Sequence, residues 1–260
     1  MISSPHNPKL KLIRALQGRA KERREAGAFL AEGIRLVEEA VNANWPLRFV
    51  LFDETLNDRG MLQVEGLRSR GVDVEEISTS LMKSLSETES PQGILAVLEL
   101  TNLPLPKLPT FILIPDQIRD PGNLGTLLRT AAAAGVQAVL LPPETTDAFA
   151  PKVVRSGMGA HFRLPIHSRT WDEIAQVVKF AGLQVLLAEM DGESCWVTDL
   201  RQPLALVIGG EADGASPQAR GLANGKISIP MPGQAESLNA GVAGSVLMFE
   251  VVRQRQSKNI

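Results

Sequence analysis

Apolar positions follow two spacings along this chain, one of three to four residues and one of short unbroken runs. Leu10, Ile13 and Leu16 fall at helical spacing within residues 9–24, which predicts one or two short helices. Phe29-Leu30-Ala31 predicts a strand, and residues 32–42 a helix carrying Ile34, Val37 and Val41 on one side. The alternation continues with a strand at 49–52, a helix at 61–70, a strand at 72–77, a short helix at 80–85 and a strand at 93–98. That is a small α/β domain of ~100 residues, an ordinary size. Pro104, Pro106 and Pro109 then fall where neither a helix nor a central strand can persist. The division expected is therefore a first domain over 1–103, a linker over 104–109 and a second domain over 110–260.

Within the second domain, apolar runs at 111–114, 136–141, 162–166, 183–188, 204–208 and 226–229 predict strands. Helical spacing separates them at 124–134, 151–159 and 171–181, and a long helix closes the chain over 240–255. Apolar strands alternating with helices imply a mostly parallel sheet covered on both faces, which binds ligands beyond the C-terminal ends of its strands. Three strand-to-bend corners lie there: residues 115–129, 208–214 and 227–239.

Composition narrows the chemistry. At 44% hydrophobic content, 260 residues can supply a sizeable core. No apolar run approaches a membrane span and the N-terminus lacks the apolar core of a secretory signal, so the cytoplasm is the expected compartment. A single cysteine, Cys195, excludes an internal disulfide, and His6, His161 and His167 form no zinc spacing, so no metal is expected. The formal net charge of −2 conceals an uneven distribution. The first 24 residues hold Lys9, Lys11, Arg14, Arg19, Lys21, Arg23 and Arg24 against Glu22, a local +6. Such a cluster is either a solvated helical face or an arm that meets nucleic-acid phosphates, releasing their condensed counterions.

In the first corner, Asp120-Pro121-Gly122 is a turn and Asn123 a candidate helix N-cap. A capped turn leaves Arg129 unexplained, since a guanidinium among apolar neighbours needs an anionic or hydrogen-bonding partner if buried. In the second, an apolar strand enters Gly209-Gly210-Glu211-Ala212-Asp213-Gly214, where glycines permit close approach of a ligand to the backbone and Glu211 can anchor hydroxyls or amines. A plain tight turn explains the glycines equally well. In the third, Ile227-Ser228-Ile229 stops at Pro230, a bend follows, and Ser237 or Asn239 can cap the last helix. Other chemistries fail. Gly157-Met158-Gly159 lacks the third glycine of a dinucleotide fingerprint, and neither a G-x-x-x-x-G-K-[ST] loop nor a G-x-S-x-G elbow occurs.

Asn123-x-Gly125-x-x-x-Arg129, Gly209-x-Glu211-x-x-Gly214, and Ile229-Pro230-Met231 followed by Ser237-Leu238-Asn239 together resemble the three ordered motifs of the SpoU (TrmH-type) branch of the SPOUT RNA methyltransferases. The resemblance covers residues 111–255. It extends loosely to the first domain, where Ile2-Ser3-Ser4, Asn7-Pro8-Lys9 and Phe29-Leu30-Ala31-Glu32-Gly33 look like the family's substrate-binding domain. It implies a sheet whose C-terminal segment threads a loop to form a deep trefoil knot, an exception to unknotted topology. It also implies S-adenosylmethionine as cofactor and a homodimer with the site near the subunit interface. By resemblance, Gly209, Gly210, Ile229, Met231, Leu238 and Asn239 hold the cofactor, and Asn123, Arg129, Glu211 and Asn239 are the catalytic set. One departure is Gly241, where many relatives carry a hydroxyl residue; Gly241 and Gly244 each cost about 1 kcal/mol of helix propensity and suggest close packing at a dimer contact.

The expected reaction is methyl transfer to a ribose 2′-hydroxyl of structured RNA, with ribosomal RNA as first choice and transfer RNA as second. The protein then has chiefly to align the hydroxyl and stabilise its developing charge. The basic arm, Lys9, Lys11, Arg14, Arg19, Lys21, Arg23 and Arg24, is the candidate RNA contact. An RNA-binding protein that keeps the fold without methylating is the alternative.

Overall fold

The computed structural model describes residues 2, 6–210, 214–233 and 236–256. Helix α1 (Pro8–Gln17) is started by the Asn7 side chain, which accepts the Lys9 N–H, and by Pro8, whose fixed φ suits a first turn. Its buried stripe, Leu10, Ile13 and Leu16, joins Leu30, Phe49, Leu51, Leu95 and Val97 in one core. Helix α2 (Ala20–Ala26) ends at Gly27, whose φ of +59° is the left-handed conformation that glycine adopts without penalty.

Strand β1 (Ala28–Glu32), helix α3 (Ile34–Asn42), strand β2 (Leu47–Phe52), helix α4 (Asp58–Ser69), strand β3 (Val74–Glu76), helix α5 (Thr79–Leu85) and strand β4 (Ile94–Glu99) complete this part. The sheet order is β1-β4-β2-β3, antiparallel at β1/β4 and β4/β2 and parallel at β2/β3. By proximity the chain divides into two units. The first runs to Thr101 and also takes in Phe149–Phe162; the second comprises Asn102–Ala148 and the chain from Arg163 onward. The inclusion of Phe149–Phe162 departs from a strictly sequential division. The rings of Phe149 and Phe162 lie 5.0 and 6.4 Å from that of Phe29, so aromatic burial carries this segment.

The second unit contains β5 (Phe111–Pro115), α6 (Pro121–Ala133), β6 (Ala138–Leu141), β7 (Ile166–Ser168), α8 (Trp171–Phe180), β8 (Gln184–Ser194), β9 (Leu204–Ile208), α9 (Pro217–Leu222), β10 (Gly225–Ser228) and α10 (Ala240–Gln256). Helix α7 (Pro151–Gly157) belongs to the first unit. Six strands form one sheet in the order β10-β8-β9-β5-β6-β7, every pair parallel. Strands β5, β6 and β9 are buried at every residue, the mark of a sheet covered on both faces.

Two expectations need correction. Where a strand was expected at 162–166, a single 3-10 turn, Ala160–Phe162, is followed after three residues by β7, which begins at Ile166. Helix α9 had no counterpart in the apolar pattern, because it is short, begins at Pro217 and buries only Ala219.

Candidate active site

The C-terminal ends of β9 and β10 and the middle of β8 meet at one cavity of about 420 Å³, within the ~300–1,000 Å³ of small-molecule sites. Strand β9 runs straight into Gly209 and Gly210. A Cβ on Gly209 would lie 2.8 Å from the Ala215 nitrogen, and one on Gly210 would lie 2.6 Å from the Gln117 carbonyl oxygen. Only glycine lets the backbone pass there. The β8/β10 ladder opens at the same level: Lys226 pairs with Leu187 but Ile227 with Glu193, so Ala188–Gly192 is looped out. Its residues Ala188, Glu189 and Met190 form one wall of the cavity. Glu189 is held by Lys226 at 2.7 Å and Arg220 at 2.8 Å; chiefly the Lys226 ammonium keeps its carboxyl below the usual range, against the opposing effect of burial.

All six expected cofactor positions, Gly209, Gly210, Ile229, Met231, Leu238 and Asn239, line this cavity. Much of what they present is backbone and apolar surface. An adenosyl group with a short aliphatic chain fits such a lining, since its rings need apolar walls and its polar edges need main-chain partners.

The four expected catalytic residues are not equally placed. Asn239 Nδ2 donates to Asn123 Oδ1 at 2.9 Å, and Asn239 Oδ1 accepts the Val242 N–H at 3.2 Å, capping α10. The expectation that Asn123 caps α6 is corrected. Asp120 is the cap, its carboxylate accepting the Asn123 N–H at 2.8 Å with Pro121 at the first helical position. Asn123 stands within the first turn, and its side chain is thereby available to Asn239. Arg129, one and two-thirds turns further along α6, is exposed and does not line the cavity of its own chain. Glu211 lies outside the described residues, as do Ser3 and Ser4.

Gly241 and Gly244 serve packing inside the chain. A Cβ on Gly244 would come within 2.3 Å of Leu127 Cδ2 on α6 and 3.3 Å of Ile208 Cγ1, and one on Gly241 within 3.3 Å of Thr126 Cβ. The contact they permit is α10 against α6 and β9, so the expectation of a dimer contact for them is not needed.

The basic arm is divided. Arg23 is buried, donating to the carbonyls of Leu16 at 2.7 Å and Gly18 at 2.9 Å, and Lys9 pairs with Asp73 at 2.5 Å and with Glu75. These two serve the fold. Lys11, Arg14, Arg19, Lys21 and Arg24 are exposed. Counting charges cannot separate the groups, because an arginine that closes a helix end looks the same in sequence as one facing solvent. Ala188, Glu189 and Met190 were not among the expected site residues, although they lie at and just beyond the end of the strand expected at 183–188, where the strand-end rule applies.

Residues 110–249 match the model of the SpoU rRNA Methylase family, and residues 7–96 match the MRM3-like substrate binding domain. The 23S rRNA (guanosine(2553)-2′-O)-methyltransferase RlmP of Bacillus subtilis is 34% identical, over 96% of this chain and 98% of the relative. Among solved structures, the SpoU methyltransferase AviRb from Streptomyces viridochromogenes in complex with the cofactor AdoMet superposes with a TM-score of 0.84, at 30% identity over 96% of this chain and 100% of that one. The AdoMet-bound rRNA methyltransferase from Sinorhizobium meliloti gives 0.85, at 31% identity and 97% coverage of each.

Proposed function

The chain belongs to the SpoU rRNA methylase family, and from that membership we propose that it is an S-adenosylmethionine-dependent RNA methyltransferase acting on a ribose 2′-hydroxyl of ribosomal RNA. The observation that carries this reading is the convergence of two motif segments, distant in sequence, on one cavity, with Asn123 of the first motif tied to the cavity-lining Asn239. Relatives matched over 96% of this chain that are named as 23S rRNA 2′-O-methyltransferases support ribosomal RNA over transfer RNA. A cytoplasmic location accords with that substrate, and no helix among the described residues is long and apolar enough to cross a membrane.

Bound in the cavity, S-adenosylmethionine supplies a methyl group already carried on a good leaving group. The work left to the protein is alignment and charge stabilisation. Gly209, Ile229 and Leu238 hold the cofactor through backbone groups, with Gly210, Met231 and Asn239 beside them. Asn123 and Asn239, joined side chain to side chain, fix the mouth of the cavity. Arg129 orients the 2′-hydroxyl and stabilises negative charge developing on its oxygen, with Glu211 as the fourth member of the set. A guanidinium is too basic to take up the proton, so an RNA phosphate or water receives it.

Because Arg129 is turned outward in its own chain, the site is complete only in a homodimer, in which α6 of one subunit brings its arginine to the cavity of the other. The exposed apolar side chains of Val242 and Phe249 on α10, which packs against α6, favour such a contact. A protein that sediments as a monomer while methylating RNA would refute the shared site. The knotted threading is also part of this proposal. After β10 at the sheet edge, the chain returns to pack α10 on α6 and β9, and the end of α10 is tied down where Arg255 Nη2 donates to Thr110 O at 2.9 Å and Gln202 O at 2.8 Å. A crystallographic chain trace without the crossing would refute it.

The deciding experiment is transfer of radiolabelled methyl from S-adenosylmethionine to ribosomal RNA, followed by mass-spectrometric mapping of ribose methylation in cells with and without the protein. Label appearing on a base, or no ribose site lost on deletion, would overturn the assignment.

A further inference from the structure

The first residue beyond β5 is a carboxylate that the mechanism above leaves unused. Asp116 is fully buried, and burying such a group is unfavourable unless it is hydrogen-bonded or neutral. Its hydrogen bonds among the described residues go to one neighbouring segment. The Asp116 N–H donates to the carbonyl of Ile208, the last residue of β9, at 2.8 Å, and Oδ2 accepts the N–H of Ser216 at 2.6 Å. Ile208 precedes the glycine bend and Ser216 follows it, so a single residue grips both its entry and its exit.

The other oxygen, Oδ1, has no hydrogen-bond partner among the described residues. Burial pushes the Asp116 carboxyl above its ordinary range, while the Ser216 N–H pulls it back. The adjoining residue is also constrained. Gln117 has a φ of +54°, its N–H donates to Thr145 Oγ1 at 3.1 Å, and its carbonyl oxygen abuts Gly210. A half-satisfied buried acid is unfavourable, and a non-glycine residue at positive φ adds to that. An apolar residue after β5 would avoid the first cost but could not accept the Ser216 N–H.

We propose that Asp116 is a positioning residue for the methyl donor: by tying Ile208 to Ser216 it sets the separation of the two sides of the glycine bend, and with it the fit of the donor in the cavity. Asp116 does not line the cavity, so it acts through Gly209, Gly214 and Ala215, which do. The inference rests on the reading of that cavity as the S-adenosylmethionine site.

The test is calorimetric titration of S-adenosylhomocysteine into the full-length protein and four variants, each checked for folding by thermal melting. Asp116→Asn keeps an acceptor for Ser216 and the shape of the uncharged acid, and binds within about threefold of wild type. Asp116→Ala loses the tie and binds at least about tenfold more weakly, with KM for the donor rising more than kcat falls. Ser216→Ala removes the hydroxyl, with its cap on Ala219 and its contact to the Asp116 carboxylate, and keeps the N–H; Ser216→Pro removes the N–H as well, at a φ of −66° that proline matches. The proline variant binds about tenfold more weakly than the alanine variant. Should Asp116→Ala fail to fold, the two Ser216 variants decide. The proposal is overturned if Asp116→Ala and Ser216→Pro each bind within about twofold of their comparators, or if Asp116→Asn is as impaired as Asp116→Ala. If the wild-type protein itself fails to bind S-adenosylhomocysteine, it is the assignment of the cavity that falls.

Discussion

Gly209→Ala isolates the glycine bend from the rest of the fold. The added Cβ would stand 2.8 Å from the Ala215 nitrogen, 2.9 Å from the Gly214 carbonyl carbon and 3.1 Å from the Ala215 Cα, all backbone atoms. Ordinary contact begins at 3.4 Å, so the shortfall is roughly 0.6 Å and no rotamer can relieve it. Overpacking of this size costs about 1–3 kcal/mol. The question is where the cost falls. Gly214 and Ala215 border the cavity, so the exit of the bend can yield toward space that protein atoms do not fill. The strain is then relieved in the free protein and returns when the donor must occupy the same space. Affinity for S-adenosylhomocysteine should fall between about 5-fold and about 150-fold, the equivalent of that cost. The melting temperature should move by no more than about 2–4 °C, less than 1 kcal/mol of stability being at stake. Titration calorimetry and a thermal melt on one preparation read both numbers. Unchanged affinity with a large loss of melting temperature would show that the close approach supports the sheet alone.

Arg129→Lys should reduce turnover by about 10²–10³ while leaving S-adenosylhomocysteine affinity intact, because an ammonium cannot reproduce a planar two-pronged donor; near-normal single-turnover rates would end the role assigned to it. Deleting residues 1–24 would not test the basic arm, since Leu10, Ile13 and Leu16 would leave the core. Replacing Lys11, Arg14, Arg19, Lys21 and Arg24 with glutamine should instead flatten the slope of log affinity against log salt by up to about 4, and an unaltered slope would remove the arm from the RNA interface. Burial pushes the Cys195 thiol up to about 11, so at pH 8 the native protein should resist iodoacetamide and label only after denaturation; mass spectrometry showing stoichiometric labelling of the native protein would contradict that burial.

The parallel sheet was legible because its central strands are apolar at every position, a pattern that survives reading one residue at a time. The first corner was legible in outline and misread in detail. Asp120 and Asn123 are both good caps, and only Pro121 at the first helical position decides between them. The direction of Arg129 was not legible at all: Leu127 and Leu128 are buried beside it, and one further step of about 100° carries the next side chain out to solvent. The same limit explains Asp116 and the looped-out wall of β8. A motif records residues whose own atoms face the ligand, whereas Asp116 acts on atoms 100 positions away through a backbone N–H that any residue but proline supplies. The parts of the site that depend on such ties have no local signature. Perturbing Asp116 or Ser216 therefore tests the geometry of the cavity more directly than replacing the residues the motifs name, because the lining is left chemically unchanged while its spacing is altered.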